Sequence, residues 1–194
     1  IYGSLLHSFV AAKGSIDNKT KIITMLIEAG ADVNARDNLG YTPILKLQWD
    51  TAQETITLMK LLISAGADVN AVEFGRYPQT LLNHLISAAS IRKFFSNDET
   101  EAIKILLDAG VDVNATSITG DTPLQCLLRM NLTSNILKVL QLLINAGADV
   151  NREDGLFNNT INLLLMNMNQ YTLEAIGLLI KAGVDVNKSK YEHN

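Results

Sequence analysis

Leu26-Ile27-Glu28-Ala29-Gly30-Ala31-Asp32-Val33-Asn34 is written five times in this chain, returning as Leu62 to Asn70, Leu106 to Asn114, Leu143 to Asn151 and Leu179 to Asn187. Change is concentrated at the third and sixth positions. The third reads Glu28, Ser64, Asp108, Asn145 and Lys181, always polar, while the sixth alternates between Ala and Val. The first faces water and the second is packed. The residues three, four and five before each Gly are apolar, and a second apolar pair lies one turn further back, as in Ile22-Ile23 and Val139-Leu140. That stripe has helical spacing. Gly30, Gly66, Gly110, Gly147 and Gly183 then fall where a helix ends, because only a residue without a Cβ takes the left-handed conformation cheaply. Asp and Asn after the Gly are short side chains that serve backbone groups left without helical partners.

The glycines lie 36, 44, 37 and 36 residues apart, so the chain is built of repeats. Thr42-Pro43-Ile44 and Thr122-Pro123-Leu124 follow Gly40 and Gly120, and each Thr lies eight residues beyond the preceding Asn34 or Asn114. Thr as cap and Pro at the first position begin a helix. Together, the Gly-x-Thr-Pro-Leu and Leu-Leu-x-x-Gly-Ala-Asp-Val-Asn phrases resemble the ankyrin repeat over nearly the whole chain. The resemblance implies an all-α solenoid of antiparallel helix pairs joined by β-hairpin-like loops. The expected organisation is one domain over residues 1–194, with repeats at about 1–34, 35–70, 71–114, 115–151 and 152–194.

With 47% apolar residues the chain can bury a long core, and a net charge of −4 with both signs interspersed gives no footprint for nucleic acid. No apolar run is long enough to cross a bilayer, and no small-molecule substrate is evident from any motif. One cysteine, Cys126, forms no internal disulfide and fits a reducing compartment, so a cytoplasmic setting is expected. It would be host-cell cytosol for a secreted effector. The five Asn-x-Ser/Thr triplets, at Asn18, Asn114, Asn131, Asn158 and Asn187, are what an Asn-rich chain generates by composition. Apolar residues on several sides of the last helix pair (Leu163, Leu164, Leu165, Met166, Met168) suggest an array excised from a longer protein.

Within the repeats, Ser4 replaces the Thr and His7 falls on a His common in the family. Asp17 or Asn18 is expected to cap the second helix, and Pro43 to about Trp49 to form the first helix of repeat two. Thr51-Ala52-Gln53-Glu54 and Ser96-Asn97-Asp98-Glu99 both read as capping boxes. Repeat three carries two extra residues in Glu73 to Gln79, which predicts a longer or bulged hairpin. It also has an insertion, Ile91 to Asp98, whose Ile91, Phe94 and Phe95 predict a lengthened helix or a packed loop. Repeat four has extra residues at Met130 to Ser134. Cys126 is placed facing the core between Leu124 and Leu128, and Asn159 replaces Thr as the cap in repeat five.

No Ser-His-Asp or Cys-His set, phosphate loop or metal-ligand cluster is present; His7, His84 and His193 belong to different repeats. Neither an enzyme nor a cofactor is expected. Asp-x-Asn offers two oxygen-bearing side chains per turn, whereas calcium takes six to eight ligands. A catalytic domain outside the chain is the alternative for the full protein, as in effectors carrying such repeats.

The resemblance implies a protein partner held by hairpin tips and the inner face of the first helices. Carried over by position, the free residues are Arg36, Asn38, Leu39, Tyr41, Trp49, Phe74, Arg76, Tyr77, Ile118, Asp121, Arg129, Leu156 and Phe157. Aromatic and Arg side chains of this kind dominate binding hot spots, although hairpin residues also pack on one another. Asn34, Asn70, Asn114, Asn151 and Asn187, each eight residues after a Leu, resemble ankyrin asparagines modified by an iron-dependent asparaginyl hydroxylase. A purely structural role explains the same residues.

Overall fold

The computed structural model describes residues 3–47, 52–74, 79–92, 95–117, 119–153 and 159–187. Among them the ordered elements are helical: α1 (Leu5–Ala11), α2 (Ile16–Glu28), a 3-10 turn (Pro43–Lys46), α3 (Ala52–Ser64), α4 (Leu81–Arg92), α5 (Asn97–Asp108), α6 (Pro123–Leu128), α7 (Ser134–Asn145), α8 (Thr160–Leu165) and α9 (Thr172–Lys181). Two compact units are present, one of Ile1–Leu81 with Asp108–Val111, the other of Leu82–Leu107 with Asp112–Asn194.

In the first unit α1 packs on α2 and on the 3-10 turn, and α3 packs on the same two elements. Leu6, Val10, Ile23, Ile44, Ile56, Met59 and Leu62 are buried there. In the second unit α6 packs on α7 and α8, and α9 on α7 and α8, around Leu124, Leu127, Leu128, Ile136, Leu140, Leu143, Leu163 and Leu179. The helices that end in the repeated phrase, α2, α3, α5, α7 and α9, bury stripe residues Ile23, Leu62, Leu106, Leu143 and Leu179 respectively. The five phrase glycines have φ between +82° and +88°. After Gly30 the closure is a Schellman motif: Gly30 N donates to Ile27 O (2.9 Å) and Ala31 N to Leu26 O (2.9 Å). The same pair of bonds recurs at Gly66, Gly147 and Gly183. Glu28, Ser64, Asp108, Asn145 and Lys181 are exposed, as the polar third position requires.

Several boundaries differ from the sequence reading. Ser15, not Asp17 or Asn18, precedes α2, and Asp17 lies in its first turn. The first helix of repeat two is only the 3-10 turn Pro43–Lys46 within the described residues; Trp49 and the Thr51 cap lie outside them. Its counterpart α6 is stabilised in both directions, with Gln125 N donating to Thr122 Oγ1 (3.3 Å) and Thr122 N to Gln125 Oε1 (2.8 Å). Repeat two has Leu45 where Gln125 stands, so no reciprocal bond forms. Ser96 and Glu99 do close a capping box, Ser96 N to Glu99 Oε2 at 2.9 Å and Glu99 N to Ser96 Oγ at 3.1 Å. The insertion around them is both things at once: α4 runs on to Arg92, which pairs with Glu99, and Phe95 is buried. Ile91 is left exposed. Asn159 caps α8 through Asn162 N (2.9 Å).

Cys126 does not face the core. After Pro123 the inner face is made by Leu124, Leu127 and Leu128, and Cys126 is half-buried with Sγ 3.9 Å from Ser117 Oγ. Burial first, then the nearby Asp121 carboxylate, pushes its thiol pKa up. It is a poor nucleophile.

Candidate functional site

The best-defined surface is the hairpin between Asn34 and Thr42. Asp37 builds it. Its backbone N donates to Tyr41 O (2.9 Å), Gly40 N returns to Asp37 O (2.9 Å), and Oδ1 accepts from Leu39 N and Tyr41 N (2.9 Å each). Burial works to raise the Asp37 pKa, but Lys46 and the two backbone N–H groups outweigh it and hold the carboxyl below its ordinary value. Lys46 Nζ lies 2.8 Å from Asp37 Oδ2 and 4.1 Å from the centre of the Tyr41 ring. His7 anchors the loop from behind, with Nε2 2.8 Å from Tyr41 O and Nδ1 accepting from Ser4 N (3.1 Å). Nε2 therefore carries the proton.

The next hairpin lies alongside. Phe74 N donates to Leu39 O (2.8 Å), an approach so close that a Cβ on Gly40 would sit 2.3 Å from Phe74 N. Arg36 spans both loops: Nη1 donates to Gly40 O (2.9 Å) and Val72 O (2.6 Å), and the guanidinium carbon stands 5.3 Å from the Phe74 ring centre. That is cation–π range. Leu39 and Phe74 remain 60% and 62% exposed, and Asn38 is exposed at the tip. Of the sequence candidates, Arg36, Leu39 and Phe74 are thus brought together, and Tyr41 is half-buried beneath Lys46.

In the second unit the equivalent hairpin has Ser117 N donating to Asp121 O (2.8 Å) and Gly120 N to Ser117 O (2.9 Å). Counting from Thr42 and Thr122, Ser117 occupies the place of Asp37 and Cys126 that of Lys46. The thiol–hydroxyl contact is the weak counterpart of the ion pair. Asp121 is buried and accepts from Arg129 Nη2 at 3.3 Å, so both are tied into the framework. Arg76, Tyr77, Ile118, Leu156 and Phe157 lie outside the described residues, as does Trp49.

Sequence reasoning missed Asp37 and Lys46. A signal was there, an Asp three residues before a Gly and a Lys four after the Thr, both positioned for a turn that closes on itself.

Four of the repeated asparagines, Asn34, Asn70, Asn114 and Asn151, are inter-repeat clamps. Asn34 Nδ2 donates to Gly66 O (2.9 Å) while Asn34 Oδ1 accepts from Asp68 N (2.7 Å). Asn114 does the same with Gly147 O (3.2 Å) and Asp149 N (2.8 Å), and Asn151 with Gly183 O (3.0 Å) and Asp185 N (2.7 Å). Asn70 Nδ2 reaches Gly110 O at 3.2 Å. Within each turn the Asp Oδ1 accepts from the Asn N, at 2.9 Å for Asp185 and Asn187.

Among the described residues, one cleft of about 210 Å³ lies beside the Lys19–Glu54 pair and another of about 190 Å³ beside Arg129 and Asn167. Both are below the 300 Å³ or so at which small-molecule sites begin. Among the described residues no group of three or more His, Cys, Asp or Glu is placed to hold a metal, and no helix is long and apolar enough to cross a membrane.

Stacked helix pairs with Gly-ended second helices and asparagine-clamped turns define a repeat protein. Family models described as ankyrin repeats match residues 4–38 and, as three copies, 47–154. The chain belongs to the ankyrin repeat family, whose repeats are protein-interaction modules and generally non-catalytic. It is 33% identical over 127 residues to Ankyrin repeat and SOCS box protein 6 of Homo sapiens, and 32% identical over 127 residues to that of Pongo abelii. The match takes in 66% of this chain but 28% of those relatives' length. A crystal structure of an ankyrin repeat domain from Acinetobacter baumannii AYE superposes with a TM-score of 0.67 at 28% identity, covering 95% of this chain and 89% of the other.

Proposed function

We propose that this chain binds a partner protein through the hairpin face carrying Arg36, Asn38, Leu39, Tyr41 and Phe74. The observation that supports it most is the joint exposure of Leu39 and Phe74 beside a guanidinium already fixed by two carbonyls and a ring. Large apolar groups normally leave water on folding; here the backbone bond from Phe74 N to Leu39 O holds two of them outward side by side. Rigid neighbours lose little entropy on binding, and such anchors cost about 2 kcal/mol or more when truncated. By repeat position we also propose Trp49, Arg76 and Tyr77 as partner-binding residues in the first unit and, separately, Ile118, Asp121, Arg129, Leu156 and Phe157 in the second.

Affinity capture from a cell lysate tests the reading. Leu39→Asp with Phe74→Asp is expected to lose the captured proteins while the helical circular dichroism is kept. Undiminished capture by the folded double variant would move the site elsewhere.

A further inference from the structure

We infer that the Arg36, Leu39 and Phe74 surface accepts a peptide segment in which an Asp or Glu side chain adjoins a large apolar one. This rests on the reading of the hairpin face as the binding surface and adds the chemistry of its partner. A guanidinium carries five N–H donors in a fixed fork. Both hydrogens of Arg36 Nη1 are taken, by Gly40 O at 2.9 Å and Val72 O at 2.6 Å. The remaining edge, Nε with Nη2, has no acceptor among the described residues, and no carboxylate there pairs with Arg36. That edge matches the two oxygens of a carboxylate.

Lys46 offers a contrast. Its charge is already met by Asp37 at 2.8 Å, so it leaves no comparable claim on a partner. Among the described residues, Arg36 is oriented by two carbonyls and a ring but meets no carboxylate. Phe74, 5.3 Å below the guanidinium, keeps it flat, so little side-chain entropy is lost when an anion arrives. Leu39, joined to Phe74 through the bond from Phe74 N to Leu39 O, and Phe74 itself are both exposed and supply the apolar half of the site.

The chain's net charge of −4 argues against a long acidic run as the ligand, since distant repulsion would oppose it. Beyond about 8 Å that repulsion is screened at physiological salt, whereas a contact pair is not. One or two acids beside an apolar anchor satisfy both conditions.

Random linear peptides displayed on phage, selected on the immobilised chain and then titrated as labelled synthetic peptides, test the assignment. The selected peptides should carry Asp or Glu next to Leu, Ile, Met, Phe or Trp. Arg36→Met, which keeps a long apolar stem over Phe74, should weaken them about tenfold. Changing the peptide acid to its amide should do the same, and the two changes together should add nothing further, with the salt dependence gone. Leu39→Ser and Phe74→Ser should each weaken binding as well. Selected peptides without an acid, amide peptides that bind unchanged, or an Arg36→Met chain that binds unchanged would overturn the proposal, as would the absence of any enriched sequence. Peptides that ignore these variants but are lost on Arg129→Met would overturn it while leaving the chain an interaction module, and the lysate capture decides that wider reading separately.

Discussion

Gly40 and Gly30 share a left-handed backbone, φ +81° and +88°, yet their surroundings separate them. A Cβ at Gly30 meets nothing within 4 Å, so Gly30→Ala carries only the conformational penalty of about 1–2 kcal/mol. At Gly40 the added carbon would sit 2.3 Å from Phe74 N, and backbone must move. Urea unfolding should show Gly40→Ala as the more destabilised of the two, with the bond from Phe74 N to Leu39 O lost. Three residues away, Asp37 makes the same hairpin pH-sensitive. Its folded pKa is lowered, so its stabilising effect is present above the unfolded value of about 3.9 and fades as the pH falls through the lower folded value. Thermal melts below about pH 4 should therefore lose less stability per pH unit in Asp37→Asn than in the parent. Equal slopes would mean that the ion pair with Lys46 is not maintained in solution.

Helices repeat in sequence without repeating in environment. Leu137 of α7 and Leu173 of α9 stand in the same register, 36 residues apart, but Leu137 is 6% exposed in a helix that packs on α9 and Leu173 is 82% exposed. Leu137→Ala should cost about 2–5 kcal/mol and Leu173→Ala less than about 0.5 kcal/mol in chemical denaturation. Comparable losses at the two positions would contradict the α7 and α9 packing. The second helices were legible because their stripe, their Gly and their Asp-Val-Asn all depend on neighbours in sequence. First helices were less so. Thr42-Pro43 and Thr122-Pro123 look alike, yet only Gln125 returns a bond to its cap, and Leu45 cannot. Cys126 was misplaced for a related reason: the alternation of Leu124 and Leu128 suggests a core position, whereas the equivalence with Lys46 puts it against the hairpin. Of the candidate site, Arg36, Leu39 and Phe74 were legible one by one. Their assembly was not, because Phe74 reaches Leu39 only once two hairpins lie side by side.

Across the molecule, what joins one repeat to the next is a polar contact as well as an apolar one. The partner of each clamp lies a whole repeat away, which is why the sequence shows an Asn in a turn and conceals what it holds. A helix C-terminus leaves carbonyls without intrahelical donors, and the Asn34, Asn114 and Asn151 amides fill that need at Gly66, Gly147 and Gly183 while accepting from the Asp two residues on. Each clamp thus makes two hydrogen bonds, and at about 1 kcal/mol net per bond, Asn→Ala should cost roughly 1–2 kcal/mol. Because the geometry recurs in both units, the cost should be similar for Asn34→Ala in one and Asn114→Ala in the other. Amide hydrogen exchange gives the sharper readout. In Asn114→Ala the Asp149 amide loses its acceptor and should exchange faster, whereas the Asn151 amide, bonded at 2.9 Å to the Asp149 carboxylate of its own turn, should keep its rate. If both amides speed up together, the turn itself has opened and the Asn side chain was holding more than its two visible bonds. If neither changes, the stacking is apolar and the clamps contribute nothing to it.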